Sequence, residues 1–304
     1  MSKLDPTDIQ GFVLRGYTYP VARYLFLEIF RDGGRKFVGG LIGQITTGEN
    51  WADDKPATTL NVAFTYRGLE NLGLPETALQ SFPDEFVQGM KARREILGDV
   101  GKNDPRNWEA MWHLEKVGAW VGIHAKSMDG LERQCAELRE LMKKTRGAVE
   151  IGRQDAGALM IAGEPTTEEH FGYADGFGNP DYLGVERDTQ PGQGKLKPDG
   201  TWAPLATGEL LLGYADEAGE LPVAPIPHLL ANNGTFMVYR KLHQNVETFR
   251  KYLKEKGDMY PGGEEKLASK FIGRWRDGTP VELSPDVEDK TIVGDKDHPV
   301  HKDR

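Results

Sequence analysis

The chain has 304 residues, enough for two domains or one large one, which excludes the miniature scaffolds that only disulfides hold together. Its 38 Lys+Arg against 47 Asp+Glu give a net charge of −9 and a pI near 5.4; with 28% charged and 38% hydrophobic residues it folds in water, and with no Lys/Arg-rich block it is not a nucleic-acid binder. One cysteine, Cys135, excludes an internal disulfide and a thiolate metal cage, while the opening MSKLDPTDIQGF has no apolar leader and no run reaches the roughly 18 apolar residues of a membrane span, so a cytoplasmic protein without membrane contact is expected.

Tyr24 to Phe30 (YLFLEIF) is β-rich with a single charge and predicts a strand buried over most of its length. LNVAFTY at 60–66 predicts a second. From Gly68 the pattern turns helical, through RGLENLGL and then Asp84 to Leu97, where Phe86, Met90 and Ile96 recur at broadly helical intervals. Strand character returns at Val117 to Ile123: period-two alternation puts Val117, Ala119, Val121 and Ile123 on one face, and Gly118, Trp120, Gly122 and His124 on the other. Leu131, Cys135, Leu138 and Met142 then form a helical stripe, with Asp129 and Glu132 spaced as N-cap and capping-box partner. ALMIAG at 158–163 is read as the closing strand of a β-α-β-β-α-β unit whose helices cover one face of an antiparallel sheet.

Gly163 to Ala206 is rich in Gly, Pro, Asp and Thr and reads as a long connection, a place where function concentrates. A second unit is expected to begin with ELLLGY (209–214) and continue with a strand TFMVYR (235–240). Its helix, at 245–256, would bury Val246, Phe249 and Leu253. LNVAFTYRGLENLGL and TFMVYRKLHQNVETF share an order, which suggests a duplication. After Trp275 the chain is mostly polar with no closing strand and helix, so the second unit reads as incomplete at the C-terminus. The expected division is 1–164, a first unit; 165–206, the connection; and 207–304, the second unit.

Inside the connection lies EHFGYADGFGNPDY, centred on Gly172-Tyr173-Ala174-Asp175-Gly176. Glycines around the acid permit positive φ and the close approach of a flat object. The neighbours Phe171, Tyr173 and Phe177 would partly desolvate Asp175, raising its pKa above the reference of about 3.9 and making it a proton shuttle. The competing reading of these residues alone is an Asx-type turn.

The string FGYADGFGNP resembles the signature loop of the dye-decolorizing peroxidase family, haem enzymes whose Gly-x-x-Asp-Gly aspartate lies on the distal side of the haem. The opening DIQGFVLRGYTYPVARYLFLEI, ATTLNVAFTYRGLENLGLP, SFPDEFVQGM with Leu97-Gly98-Asp99, GELLLGYADEAGELP and NGTFMVYRKLHQNVETF are similar to the longer bacterial and fungal-like members, from about Asp8 to Pro285. The resemblance implies an α+β fold of two ferredoxin-like units with antiparallel sheets, of the dimeric α/β barrel type. It implies haem b as cofactor, Asp175 as distal acid-base, and Phe171, Gly172, Gly176, Phe177 and Gly178 around the cofactor. It also implies hydrogen peroxide and a reducing aromatic substrate, phenolic or dye-like, as partners.

The chain departs from the family at the iron. The His-Ile-Arg and Arg-rich segments that carry the proximal histidine and distal arginine of the longer members do not occur, so the resemblance covers an N-terminal portion. His298 and His301 sit in the polar stretch DHPVHKDR. His243, in RKLHQNV, is the internal candidate ligand, because shorter members place theirs at a comparable distance after the aspartate; a surface histidine is the competing reading. His113, His124, His170 and His228 read as satisfied or solvated, Arg240 as a cation near Asp175 or a structural ion pair, and most of the six tryptophans as core. The second functional reading is a non-catalytic haem-binding or interaction scaffold. Either reading leaves open a homo-oligomer or a complementing C-terminal chain.

Overall fold

The computed structural model describes residues 4–49, 51, 54–176, 179–185, 189 and 193–294. They form two compact units that are not consecutive in the chain. One joins Leu4–Gly157 to Thr207–Met237; the other joins Ala158–Ala206 to the described residues from Val238 onward.

The first unit is built on strands β1 (Val21–Ile29), β2 (Thr58–Phe64), β3 (Ala119–Ala125) and β4 (Ala148–Gly157), with helices α1 (Gly34–Leu41), α2 (Tyr66–Asn71), α3 (Asp84–Ala92), α4 (Ala110–His113) and α5 (Met128–Thr145) between them. The sheet is antiparallel throughout, in the order β2-β3-β1-β4. That order, with α1 after β1 and α5 after β3, is the ferredoxin-like arrangement expected from the sequence. In register, Tyr24 lies opposite Gly122 and Phe26 opposite Trp120, while Asn61 lies opposite Gly122 from the other side.

One face of the sheet meets α1 and α5. Leu25, Leu27 and Ile29 from β1, Val121 and Ile123 from β3, and Leu60 and Val62 from β2 are buried with Phe37 and Leu41 of α1 and the α5 stripe Leu131, Cys135, Leu138 and Met142. The stripe is as predicted, but the cap is not Asp129: Ser127 Oγ accepts from Gly130 N at 3.2 Å and starts the helix two residues earlier. Burial raises the pKa of the Cys135 thiol, which is fully enclosed. Helix α2 docks so closely that a Cβ on Gly68 would stand 1.8 Å from Gly118 O, a separation only glycine permits. The helix predicted over 84–97 is shorter, since Gly89 breaks it at φ +69° and Ile96 is exposed.

The closing strand is Ala148–Gly157 rather than ALMIAG. This edge strand follows β1 over nine aligned pairs, and its polar Arg153, Gln154 and Asp155 mask it in a search for apolar runs. Buried Arg23 of β1 holds Asp155 by a fork, Nε to Oδ1 at 2.5 Å and Nη2 to Oδ2 at 3.0 Å, and reaches Glu132 Oε1 at 2.8 Å. Ala158–Gly163 contributes only the exposed β5 (Met160–Ile161), paired with β6 (Glu164–Pro165).

The opposite face of the sheet is aromatic. Phe26 meets Trp112 edge-on at 4.7 Å, Trp120 lies 5.7 Å from Phe12 and 5.5 Å from Tyr24, and His124 lies 5.2 Å from Tyr17. Both faces are therefore covered, and His124 belongs to packing, its Nδ1 lying 3.5 Å from Thr59 Oγ1.

The strand expected at 235–240 does not form, and ELLLGY at 209–214, expected to open the second unit, is not a strand. Thr207–Glu209 is a 3-10 turn, and the two segments meet only through bonds such as Leu212 N to Gly234 O at 2.9 Å and Thr235 Oγ1 to Leu210 O at 2.7 Å, too few for a ladder. The other compact unit contains the ribbon β7 (Lys195–Leu196) with β8 (Trp202–Ala203), and the packed helices α6 (Val246–Gly257) and α7 (Gly263–Ile272). Helix α6 buries Leu253 as predicted, whereas Phe249 and Val246, expected to be buried, are half-buried. No helix of the described residues is long and apolar enough to cross a membrane.

Burial, with Lys55 adding to it, lowers the His124 pKa to about 4. A histidine whose folded pKa lies below its unfolded value contributes stability above the unfolded pKa and loses it as pH falls. Unfolding free energy from urea titrations should therefore decline between about pH 6.5 and pH 4, by up to about 3 kcal/mol. A His124→Gln variant should lack that slope; an equal slope in the variant contradicts the assignment.

Candidate functional site

The Gly-x-x-Asp-Gly segment is a turn held by one carboxylate. Glu169 N donates to Tyr173 O at 2.9 Å, Gly172 N to Glu169 O at 2.8 Å, and Gly172 takes φ +90° to close the bend. The Glu169 carboxylate lies inside the bend and accepts from Phe171 N at 2.8 Å, Tyr173 N at 3.1 Å and Gln244 Nε2 at 3.1 Å. Charge-assisted bonds to backbone amides are among the stronger ones, so Glu169 fixes the loop's shape. The sequence reading missed it; its spacing, four residues before Tyr173, was the available signal.

The second support is Arg276. Its carbonyl accepts from Ala174 N at 2.9 Å, its Nη1 donates to Phe171 O at 3.2 Å, and its guanidinium lies 5.1 Å from the Tyr173 ring centroid. Glu265 holds the other edge of the guanidinium, Nε to Oε2 at 2.6 Å and Nη2 to Oε1 at 3.0 Å. Hydrogen bonding to Glu265 raises the Arg276 pKa further. Tyr173 is enclosed with Leu253 and Ala268, and Phe171, Phe249 and Leu267 pack around them. Burial raises the Tyr173 pKa, and its hydroxyl finds no partner among the described residues.

Asp175 follows this anchored bend. Its N donates to Thr167 O at 2.9 Å, and its Oδ1 accepts from Gly176 N at 2.7 Å. Gly176 has φ +91°, and nothing lies within 4 Å of where its Cβ would be. Both residues are exposed, so the expected desolvation of Asp175 is not present. The physical reason is the direction of packing: Tyr173 and Phe171 turn toward α6 and α7, and Phe171 meets Phe249 at 5.0 Å. Of the residues expected around a cofactor, Phe171, Gly172 and Gly176 share this bend, while Phe177 and Gly178 lie outside the described residues.

The histidines do not converge on it. His170 and His243 are exposed, His298 and His301 lie outside the described residues, and no group of three or more His, Cys, Asp or Glu suited to a metal occurs among the described ones. Arg240 is exposed as well. For a flat porphyrin, the residues present fit one wall: the open space beside Gly176 and the exposed carboxylate leave room for a planar group, while an axial ligand is not assembled here.

An antiparallel ferredoxin-like sheet and a separate bend presenting a glycine-framed aspartate define an α+β protein of the barrel-forming class. Residues 8–151 match the model of the DyP dimeric alpha+beta barrel domain. The chain is 29% identical over 305 residues to Peroxidase 2 of Mycetinis scorodonius, covering 96% of this chain and 54% of that protein. It is 28% identical over 294 residues to the multifunctional dye peroxidase DyP2 of an Amycolatopsis species, covering 90% and 57%. An ancestral D-type dye decolorizing peroxidase superposes with a TM-score of 0.82 at 25% identity, over 99% of this chain and 64% of the other. The chain is similar over nearly its whole length to dye-decolorizing peroxidases, and residues 8–151 match the barrel domain of that family. It spans about half the length of the curated relatives it matches.

If Glu169 holds the bend, Glu169→Ala should increase amide hydrogen exchange across 169–176 well before it affects the α5 peptides. The whole-protein cost should be about 1–3 kcal/mol for the donors left unsatisfied. Unchanged exchange in that segment would remove Glu169 from this role.

Proposed function

We propose that the chain takes part in peroxide-driven oxidation of bulky aromatic donors by a haem b cofactor, with Asp175 as the acid-base residue. The observation that carries the reading is an exposed carboxylate between two positive-φ glycines, on a bend held by Glu169 and Arg276. The likeness to that family and the half-length match supply its context. A structural relative, a dye-decolorizing peroxidase, is in complex with 2,6-dimethoxyphenol, which supports a phenolic donor.

When bound, haem supplies the redox chemistry; the protein supplies position and proton transfer. Gly172 and Gly176 would let a planar group approach without meeting side-chain bulk, and Phe171 would lie beside it; Phe177 and Gly178 are assigned to the same role by the family resemblance alone. Asp175 would accept the proton of one peroxide oxygen and return it to the other. Its Oδ1 accepts from Gly176 N, which orients the carboxylate, and Arg276 acts at one remove through its carbonyl, which accepts from Ala174 N beside it. His243 would be the internal candidate to ligate the iron, although it is exposed in the structure. The expected three-part division at 1–164, 165–206 and 207–304 belongs to the same reading, with residues 165–206 presenting the reactive loop.

Haem added to the purified chain should give a Soret band that shifts with hydrogen peroxide. Asp175→Asn should preserve the band while slowing the peroxide-dependent shift by about 100-fold or more, the usual scale for a lost general acid-base. An unchanged rate in Asp175→Asn removes its assigned role, and absence of any haem uptake removes the haem reading for this chain.

A further inference from the structure

This acidic chain gathers several cations around a hollow on its sheet-bearing unit. Lys91, Arg94, Arg106 and His113, with Asp104 and Pro105, line a hollow of about 340 Å³. A second hollow of about 350 Å³ shares Lys91 and Arg94 with the first. Both volumes fall at the small end of the range used for small-molecule sites.

The hydrogen bonds show which charges are already committed. Asp104 takes Arg106 by its Nε and Nη2 edge at 2.9 and 3.2 Å and also accepts Arg106 N at 2.9 Å, leaving Nη1 uncommitted among the described residues. Lys91 pairs with Glu115, which does not line the hollow. His113 Nε2 lies 3.0 Å from Pro105 O; a carbonyl only accepts, so that nitrogen carries the proton. The Arg94 side chain makes no hydrogen bond among the described residues. Its nearest carboxylate oxygen, on Glu95, is 3.9 Å away, beyond hydrogen-bond range. Three full cations thus face the hollow against the single carboxylate of Asp104, and one of them keeps its whole donor fork unspent.

We propose that this hollow binds a small molecule through a carboxylate or phosphate group, with Arg94 as the principal donor and Lys91 and Arg106 flanking it. A guanidinium offers a planar pair of N–H donors that matches two oxygens of either group, and a concave basic lining on a chain of net charge −9 concentrates anions there rather than over the whole surface. The inference is independent of the peroxidase reading, because none of these residues belongs to the Asp175 bend.

Inorganic phosphate and citrate, titrated separately into the full chain by calorimetry at an ionic strength held constant with chloride, separate the two sources of the anion. Saturable binding of one equivalent is expected for at least one of them, phosphate pointing to a phosphorylated ligand and citrate to a carboxylated one. Arg94→Gln should weaken that binding about tenfold or more, the equivalent of one lost charge-assisted hydrogen bond, and Lys91→Gln should weaken it separately. Unaltered melting temperatures in both variants assign the loss to the site rather than to the fold. The proposal is overturned if neither anion saturates, or if Arg94→Gln binds as tightly as the parent chain.

Discussion

The sheet-bearing unit depends on β1 being hydrogen-bonded along both edges, to β3 on one side and β4 on the other. Once its register is set, period-two alternation decides the rest: Leu25 and Ile29 go to the helix-covered core, Tyr24 and Phe26 to the aromatic face. A slip of one residue would carry Tyr24 and Phe26 into the helix-covered core and turn Leu25, together with Arg23 and its fork to Asp155, toward the rings. Helix α5 can dock only because the sheet presents a continuous aliphatic surface, and Gly68 and Gly118 let α2 close against it.

A different principle shapes the Asp175 bend. It has almost no regular structure, so its amides need acceptors from side chains, and Glu169 and the Arg276 backbone provide them. The bend is fixed polar group by polar group while its hydrophobic anchors, Tyr173 and Phe171, pack against α6 and α7. That arrangement leaves the carboxylate exposed and the loop ordered together.

Much of this was legible in the sequence, and what was not has physical causes. The α5 stripe and the faces of β3 follow directly from their periods, and the β-α-β-β-α-β order from the succession of patterns. The closing strand was misplaced because β4 is chosen by pairing with β1, not by its own hydrophobicity, whereas the apolar Met160 and Ile161 lie exposed. TFMVYR has strand composition yet makes no ladder, since an extended segment becomes a strand only with a neighbour to bond. At the site, the glycine spacing revealed Asp175, but the acceptor role of Glu169 and the Arg276–Glu265 clamp join residues up to 105 positions apart, a distance that no local motif encodes.

Cys135 carries a consequence of its own. It is the chain's one thiol, it sits fully enclosed between α5 and the sheet, and burial holds it in the unreactive protonated form. Any alkylating reagent must wait for that helix to lift from the strands beneath it. The rate at which the sulfur is modified therefore times the breathing of the aliphatic core, with no introduced label and no competing site on the surface.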